Sequence, residues 1–307
     1  MCGLFGFSTY GTSPIRDVAK LVNALAQESA VRGIDATGIA YCRDGRIQVQ
    51  KEALSAYKMN FKPPQAVRAL IGHTRHSTQG SEKKNYNNHP FTGKAGGTRF
   101  ALAHNGVLTN DEALRVQYHL PQSKIETDSY VAVQLITNQQ VLNFHALRQM
   151  AETVRGSFSF SILDDRDNLY LVKGDSPLSI LHFPKEKLYV YASTDEILYR
   201  ALIETPLFEA IKDKAYEVIR VDAGTILKIE PDGNLEQDEF AYQLYTGKSW
   251  YNYGWSTVST AHNNCDDEYI EELRRFACYA GFDPEIVDEL IGEGFSPFEV
   301  EEYIYAG

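Results

Sequence analysis

The stretch Cys2-Gly3-Leu4-Phe5-Gly6-Phe7-Ser8-Thr9-Tyr10 stands at the start of the chain and reads as a strand. Its apolar residues alternate with small ones, a two-residue period rather than a helical one. A cysteine directly behind the initiator Met has a second consequence. Its side chain is small enough for Met1 to be removed, leaving one residue with both a thiol and a free α-amine. The ordinary pKa values, about 8 for the amine and about 8.5 for the thiol, put both groups close to neutrality. The amine can then take the thiol's proton, making a self-contained nucleophile and base. On its own, an arbitrary second residue of a buried strand explains Cys2 as well.

Outward from this strand the pattern mixes helices and sheets. Ser13-Pro14 resembles an N-cap with proline at the first helical position, and Val18, Leu21, Val22 and Leu25 follow at helical spacing up to a stop at Gly33. Strands are expected at Ile39–Cys42 and Ile47–Lys51 across the turn Arg43-Asp44-Gly45-Arg46, then at Ala69–Thr74 and Arg99–His104 with a polar loop between. Thr109-Asn110-Asp111-Glu112 fits a capping box that opens a helix towards His119. Further helices are expected at Asp128–Thr137, Phe144–Val154 and Asp195–Ile203. Strands should occupy Phe158–Leu163, Leu169–Val172, Leu178–Phe183 and Leu188–Ala192, with Tyr216–Val221 and Thr225–Ile229 as a closing hairpin. Strands, then helices, then strands favour stacked layers over a doubly wound parallel sheet.

Charge is unevenly placed. The 307 residues carry a net −11, and thirteen acidic residues against Arg274 and Arg275 put all of it after Cys265. A neutral body with an acidic tail has no basic surface for a phosphate backbone, which argues against nucleic acid as a partner. No apolar run approaches the roughly 20 residues of a membrane span, and no secretory signal opens the chain. Cysteines at 2, 42, 265 and 278 show neither metal-site nor disulfide spacing, which points to a reducing cytoplasm with no metal or cofactor. Three segments are expected: a main domain over 1–239, an aromatic linker over 240–265 that packs on it, and an acidic three-helix tail over 266–307. The linker holds Trp250 and Trp255 among several tyrosines, a composition foreign to disordered chain. The tail's helices, at Asp267–Tyr279, Pro284–Ile291 and Pro297–Tyr305, loosely resemble the ubiquitin-associated class. Apolar faces are expected on Ile270, Leu273 and Ala277, on Ile286, Leu290 and Ile291, and between Phe298 and Tyr305.

Six blocks carry chemistry, and they fall in a fixed order. Cys2-Gly3-Leu4-Phe5-Gly6 is followed by Arg32-Gly33-Ile34-Asp35-Ala36-Thr37-Gly38, Gly72-His73-Thr74-Arg75, Asn87-Asn88-His89-Pro90-Phe91, Ala103-His104-Asn105-Gly106 and Glu126-Thr127-Asp128. With Gly174-Asp175-Ser176-Pro177-Leu178 and Ala192-Ser193-Thr194-Asp195 behind them, they resemble the class II glutamine amidotransferase domain of the N-terminal nucleophile hydrolases. The resemblance runs from residue 2 to about 230. It implies an α+β fold, a four-layer αββα sandwich, with the small helical tail appended.

It also implies roles. Cys2 would attack the glutamine carboxamide, and Asn105 with the Gly106 N–H would receive the oxyanion. Arg75 would pair with the α-carboxylate through a planar fork that lysine lacks, and Asp128 would take the α-ammonium group. His89 and Thr78 would join them on the substrate side. Arg32 and Asp35 would support the nucleophile's surroundings, and Gly80–Asn88 would form a lid over bound glutamine. His73 and His104 read as core histidines satisfied by backbone, and Cys42, Cys265 and Cys278 as ordinary thiols. Asn105-Gly106 as an isolated pair reads as a turn. His76 departs from the aromatic that relatives place after the arginine, which puts gating of ammonia in doubt. The function implied is a stand-alone glutaminase feeding ammonia to a separate synthase docked through the acidic tail. The alternatives are a γ-glutamyl amide hydrolase and a catalytically retired scaffold.

Overall fold

The computed structural model describes residues 2–11, 15–242 and, beyond these, 270–271, 273–274, 277–278, 282–293, 295, 300–301 and 303–304. Along the chain come β1 (Gly3–Thr9), α1 (Val18–Glu28), β2 (Ala36–Arg43), β3 (Arg46–Glu52), β4 (Ala69–Arg75), β5 (Phe91–Ala95) and β6 (Thr98–Leu108). The helices α2 (Asp111–Gln117), α3 (Tyr130–Asn138) and α4 (Phe144–Thr153) follow. Then come β7 (Gly156–Asp164), β8 (Leu169–Lys173), β9 (Ser179–Phe183), β10 (Leu188–Ala192), α5 (Asp195–Ile203) and α6 (Phe208–Lys212). The strands β11 (Glu217–Ile219), β12 (Thr225–Ile229) and β13 (Leu235–Glu239) precede α7 (Glu285–Gly292).

Two antiparallel sheets result. One has the order β11-β9-β10-β1-β4-β2-β3, and the other β13-β12-β8-β7-β6-β5. Alternation along β1 explains its central place. Leu4 joins Ala40 and Ile71 in a core shared with Ala101, Ala103, Leu163 and Leu171 of the second sheet. Phe5 and Phe7, fully buried, must then face the other way, where α1 and α5 cover the first sheet. The outer face of the second sheet is sealed by α3 and α4 through Phe100, Leu102, Val133, Ile136, Leu147 and Met150. The layers are therefore helix, sheet, sheet, helix.

Several local expectations change. The first helix begins at Val18 behind Asp17, whose carboxylate accepts from the Lys20 N–H at 3.1 Å; Ser13-Pro14 lies outside the described residues. The capping box at Thr109 does not form. Asn110 is the N-cap of α2, and its side chain instead bonds Arg155 N–H and Thr153 O, tying the helix start to the α4–β7 connection. The expected closing hairpin is split between sheets, since β11 pairs with β9 while β12 pairs with β8 and β13. The polar stretch before β6 contains the edge strand β5, and Asn105-Gly106 sits inside β6 rather than in a turn. The strand continues through Gly106 at φ 131°, a conformation in which a Cβ would run into the Ser157 carbonyl.

The chain divides into two compact units, 1–242 and 243–307. Residues 240–242 belong to the first unit, where Phe240 stacks on Phe158 and Tyr242 meets it edge-on; the rest of the expected 240–265 linker lies outside the described residues. The two tryptophans lie outside the described residues. In the second unit Leu273, Ala277, Val287, Leu290, Val300 and Ile304 are buried, and Arg274 donates to Asp288 of α7. Ile286 and Ile291 are only half-buried, so the inward face of α7 centres on Val287 and Leu290. Phe298 and Tyr305 lie outside the described residues. No described helix is long and apolar enough to cross a membrane.

Candidate active site

Register brings the dispersed blocks to one end of the sandwich. Gly3 pairs with Thr74, so Cys2 lies beside Arg75 at the rim of the first sheet. By alternation Cys2 extends the inward row of Leu4, while His73 and Arg75 extend that of Ile71. Across the gap, Asn105 extends the row of Ala101 and Ala103. The two sheets are joined at this level by the His73 imidazole, whose Nε2 lies 2.9 Å from the His104 carbonyl.

Cys2 is half-buried, and its thiol approaches the His76 carbonyl at 3.5 Å. Burial pushes the thiol above its ordinary pKa; the charge of Asp128 adds to this and that of Arg75 opposes it. The backbone on either side is held firmly. Buried Arg32 donates Nε–H to the Cys2 carbonyl at 2.9 Å, and Leu4 exchanges two 2.9 Å bonds with Ser193, through its hydroxyl and its N–H. Asp35 accepts the Ser77 N–H at 2.7 Å and donates its own N–H to the Arg75 carbonyl, which fixes the chain as it leaves β4.

Arg75 is 3% exposed, and burial lowers its pKa. Its Nη1 donates to Asn88 Oδ1, and its Nη2 to the carbonyls of Gln79 and Gly80, all at 2.7 Å. The segment 79–88 is thus wrapped around the guanidinium. A second tie secures it. Asn87 exchanges two 2.9 Å bonds with Glu126, and Lys84 pairs with the same carboxylate. Glu126 in turn precedes Asp128, whose Oδ2 accepts the Leu108 N–H at 2.6 Å and whose Oδ1 accepts the Ser129 hydroxyl.

Asn105 stands apart from this bonding. Its side chain is fully buried, yet neither Oδ1 nor Nδ2 has a partner among the described residues. An amide left so is costly unless something else is to fill its valences. Beyond it, pairing with β7 continues through Gly106, and the Val107 N–H donates to the Ser157 hydroxyl at 3.2 Å.

His89 is buried with both ring nitrogens unpartnered among the described residues, packed at 4.1 Å from His73 and 4.3 Å from Phe91 between ring centroids. Burial holds all three imidazoles neutral: His73 is lowered to about 3, His89 well below its ordinary value, and His104 in the same direction. Cys2, Arg32, Asp35, Arg75, Asn105, Gly106 and Asp128 therefore share one end of the two sheets, with His89 in the layer behind Arg75. Thr78 is exposed in the loop after β4, and among the described residues its side chain makes no hydrogen bond. Two contributors lie outside the residues that the sequence motifs single out. Ser193 stands in the sequence only as part of a block, and Lys51 carries no signal, since a lysine on an alternating edge strand ordinarily faces water.

Comparison with known proteins converges on the same reading. Residues 73–200 match the family profile described as a glutamine amidotransferase domain. The glutamine–fructose-6-phosphate aminotransferase (isomerizing) of Staphylococcus aureus is 31% identical over 258 residues, covering 80% of this chain and 40% of that protein. Its counterpart in Listeria innocua is 32% identical over 256 residues, covering 81% of this chain and 39% of that one. The chain thus spans about 40% of the length of these relatives. In fold it is similar to the glutamine phosphoribosylpyrophosphate amidotransferase of B. subtilis, with a TM-score of 0.62 at 20% identity over 79% of this chain and 50% of that one. Ordered motifs, paired sheets and these likenesses agree: residues 73–200 match a glutamine amidotransferase domain, and the fold that contains them is similar to that of the B. subtilis amidotransferase.

Proposed function

We propose that this chain hydrolyses glutamine to glutamate and ammonia through Cys2, exposed as the N-terminal residue once Met1 is removed, and passes the ammonia to a separate acceptor enzyme. The observation that carries the reading is the buried, unpartnered amide of Asn105 on the strand that faces Cys2. An oxyanion at the attacked carboxamide is the ligand such a donor awaits, with the Gly106 N–H beside it.

The chemistry follows from the charges present. Burial keeps the Cys2 thiol protonated at neutral pH, so attack needs a base. The α-amine freed by removing Met1 is part of the same residue. It takes the thiol proton as sulfur bonds to the carboxamide carbon, and returns it to the nitrogen as the C–N bond breaks. Ammonia leaves, a thioester joins glutamate to Cys2, and water cleaves it. Arg75 binds the α-carboxylate and Asp128 the α-ammonium group. Because the carbonyls of Gln79 and Gly80 occupy Nη2, the carboxylate reaches the guanidinium side-on only by displacing them. The lid then opens and closes with each turnover. The acidic segment after Cys265 is the surface we assign to docking a basic patch on the acceptor, an attraction that weakens with salt.

The test uses untagged protein and protein extended before Cys2. The untagged form should lack Met1 by intact mass, release glutamate, and add an electrophilic glutamine analogue of the diazo-ketone type at Cys2 alone. Activity in a preparation that retains Met1, or labelling at Cys42, Cys265 or Cys278, would overturn the mechanism. Faster turnover of γ-glutamyl peptides than of free glutamine would move the assignment to a γ-glutamyl hydrolase.

A further inference from the structure

We infer that Lys51 is a positioning residue for glutamine binding, acting through Asn88 on Arg75. This deepens the glutaminase reading above and rests on it.

Lys51 lies near the end of β3, opposite Gly38 of β2. Its ammonium group turns inward over the first sheet's edge and donates to the carbonyls of Asn88 and Pro90, the latter at 3.0 Å. These two carbonyls bracket His89. The Phe91 ring lies beneath, its centroid 5.0 Å from Nζ. Gly38 makes the approach feasible, because a Cβ there would meet the His89 carbonyl and the Lys51 Cβ. The lysine's own carbonyl accepts from Asn85 Nδ2 at 2.7 Å, so both ends of the residue hold the same segment.

Among the described residues Lys51 has no carboxylate partner. Burial, with Arg75 adding to it, lowers its pKa to about 8. A charge kept in so unfavourable a place, spent on two main-chain oxygens, is not there for solubility. What it holds is the backbone that presents Asn88 Oδ1 to Arg75 Nη1. When glutamine displaces the Gln79 and Gly80 carbonyls from Nη2, the Asn88 contact is the one that keeps the guanidinium plane in place. Lys51 anchors that contact from the side of the sheet. Because the α-carboxylate does not change during reaction, the grip serves ground state and transition state alike, and its loss should appear in KM.

Lys51→Met removes the charge at similar length. It should raise KM for glutamine about tenfold, the effect of one charge-assisted hydrogen bond, with kcat within about threefold. Lys51→Gln, which keeps an N–H donor, should fall between it and the wild type and guards against misfolding of the methionine variant. Asn88→Ala should raise KM similarly, and combining it with Lys51→Met should add little, since both act through one path. The folded, competent fraction is counted in each case by labelling Cys2 with the diazo-ketone. An unchanged KM with fewer competent sites makes Lys51 merely structural and overturns the inference, as do effects of Lys51→Met and Asn88→Ala that simply add. A wild-type protein that releases no glutamate defeats the glutaminase reading itself; an active wild type with unaltered KM in both lysine variants defeats only the role given to Lys51.

Discussion

Arg32 donates its Nε–H to the Cys2 carbonyl at 2.9 Å although the arginine is wholly buried. The bond fixes the peptide joining Cys2 to β1, and it comes from the 3-10 turn that follows α1. Arg32→Met would leave that carbonyl without its donor, at a cost of about 1–3 kcal/mol. We expect a lower urea midpoint together with slower diazo-ketone labelling of Cys2. A normal labelling rate in the folded variant would show that Cys2 is held without Arg32.

Asn105→Ala separates catalysis from stability. The side chain forms no hydrogen bond among the described residues, so its removal should shift stability by less than about 1 kcal/mol, relief of an unpaired amide offsetting a small void. Glutamate release should nevertheless fall about a hundredfold in kcat with little change in KM, as for one lost oxyanion donor. A rise in KM at constant kcat would assign Asn105 to substrate binding instead.

Acid should unfold the domain through its buried imidazoles. An unfolded histidine titrates at about 6.5, whereas His73 is held down at about 3 and His89 well below its ordinary value. Their contribution is complete above the unfolded pKa. It is lost as pH falls, because only the unfolded chain then takes up protons, at about 1.4 kcal/mol per pH unit for each group. Asp167, pushed up to about 6 by burial, acts in the opposite sense below that pH. Comparison with His89→Phe isolates the effect. Between pH 7 and 5 the wild type should lose up to about 2 kcal/mol more than the variant, read from urea midpoints. Equal losses would mean that His89 is protonated in the folded protein.

Truncation tests the division after Tyr242. Removing residues 243–307 should leave glutamate release within about twofold and the melting midpoint within a few degrees, since the sandwich has its own two cores. Salt-sensitive binding to the acceptor should be lost. A truncated protein that unfolds or is inactive would make the second unit part of the catalytic fold.

Much of this was legible from short-range pattern. Strand-like patterning marks β1, β7, β8 and β10, helical spacing marks α1, α4 and α5, and six ordered blocks single out Cys2, Arg75, Asn105 and Asp128 from residue type and order alone. These features depend on neighbours a few residues away, or on residue types that the chemistry demands. Other features depend on partners distant along the chain. The assignment of β11 and β12 to different sheets came from their pairing with β9 and β8, which no local pattern encodes. Asn105-Gly106 looked like a turn, but pairing with Ser159 and Phe158 across β7 carries the strand straight through it. Lys51 carries no local signal of its role; only the Asn88–Pro90 segment folding over it gives its ammonium group the Asn88 and Pro90 carbonyls as partners. Residue type and order set the chemistry this chain can attempt. Long-range pairing and burial decided which groups meet, because only the packed sheets bring Cys2, Asn105 and Arg75 to one rim and strip the solvent that would otherwise make their charges and dipoles weak.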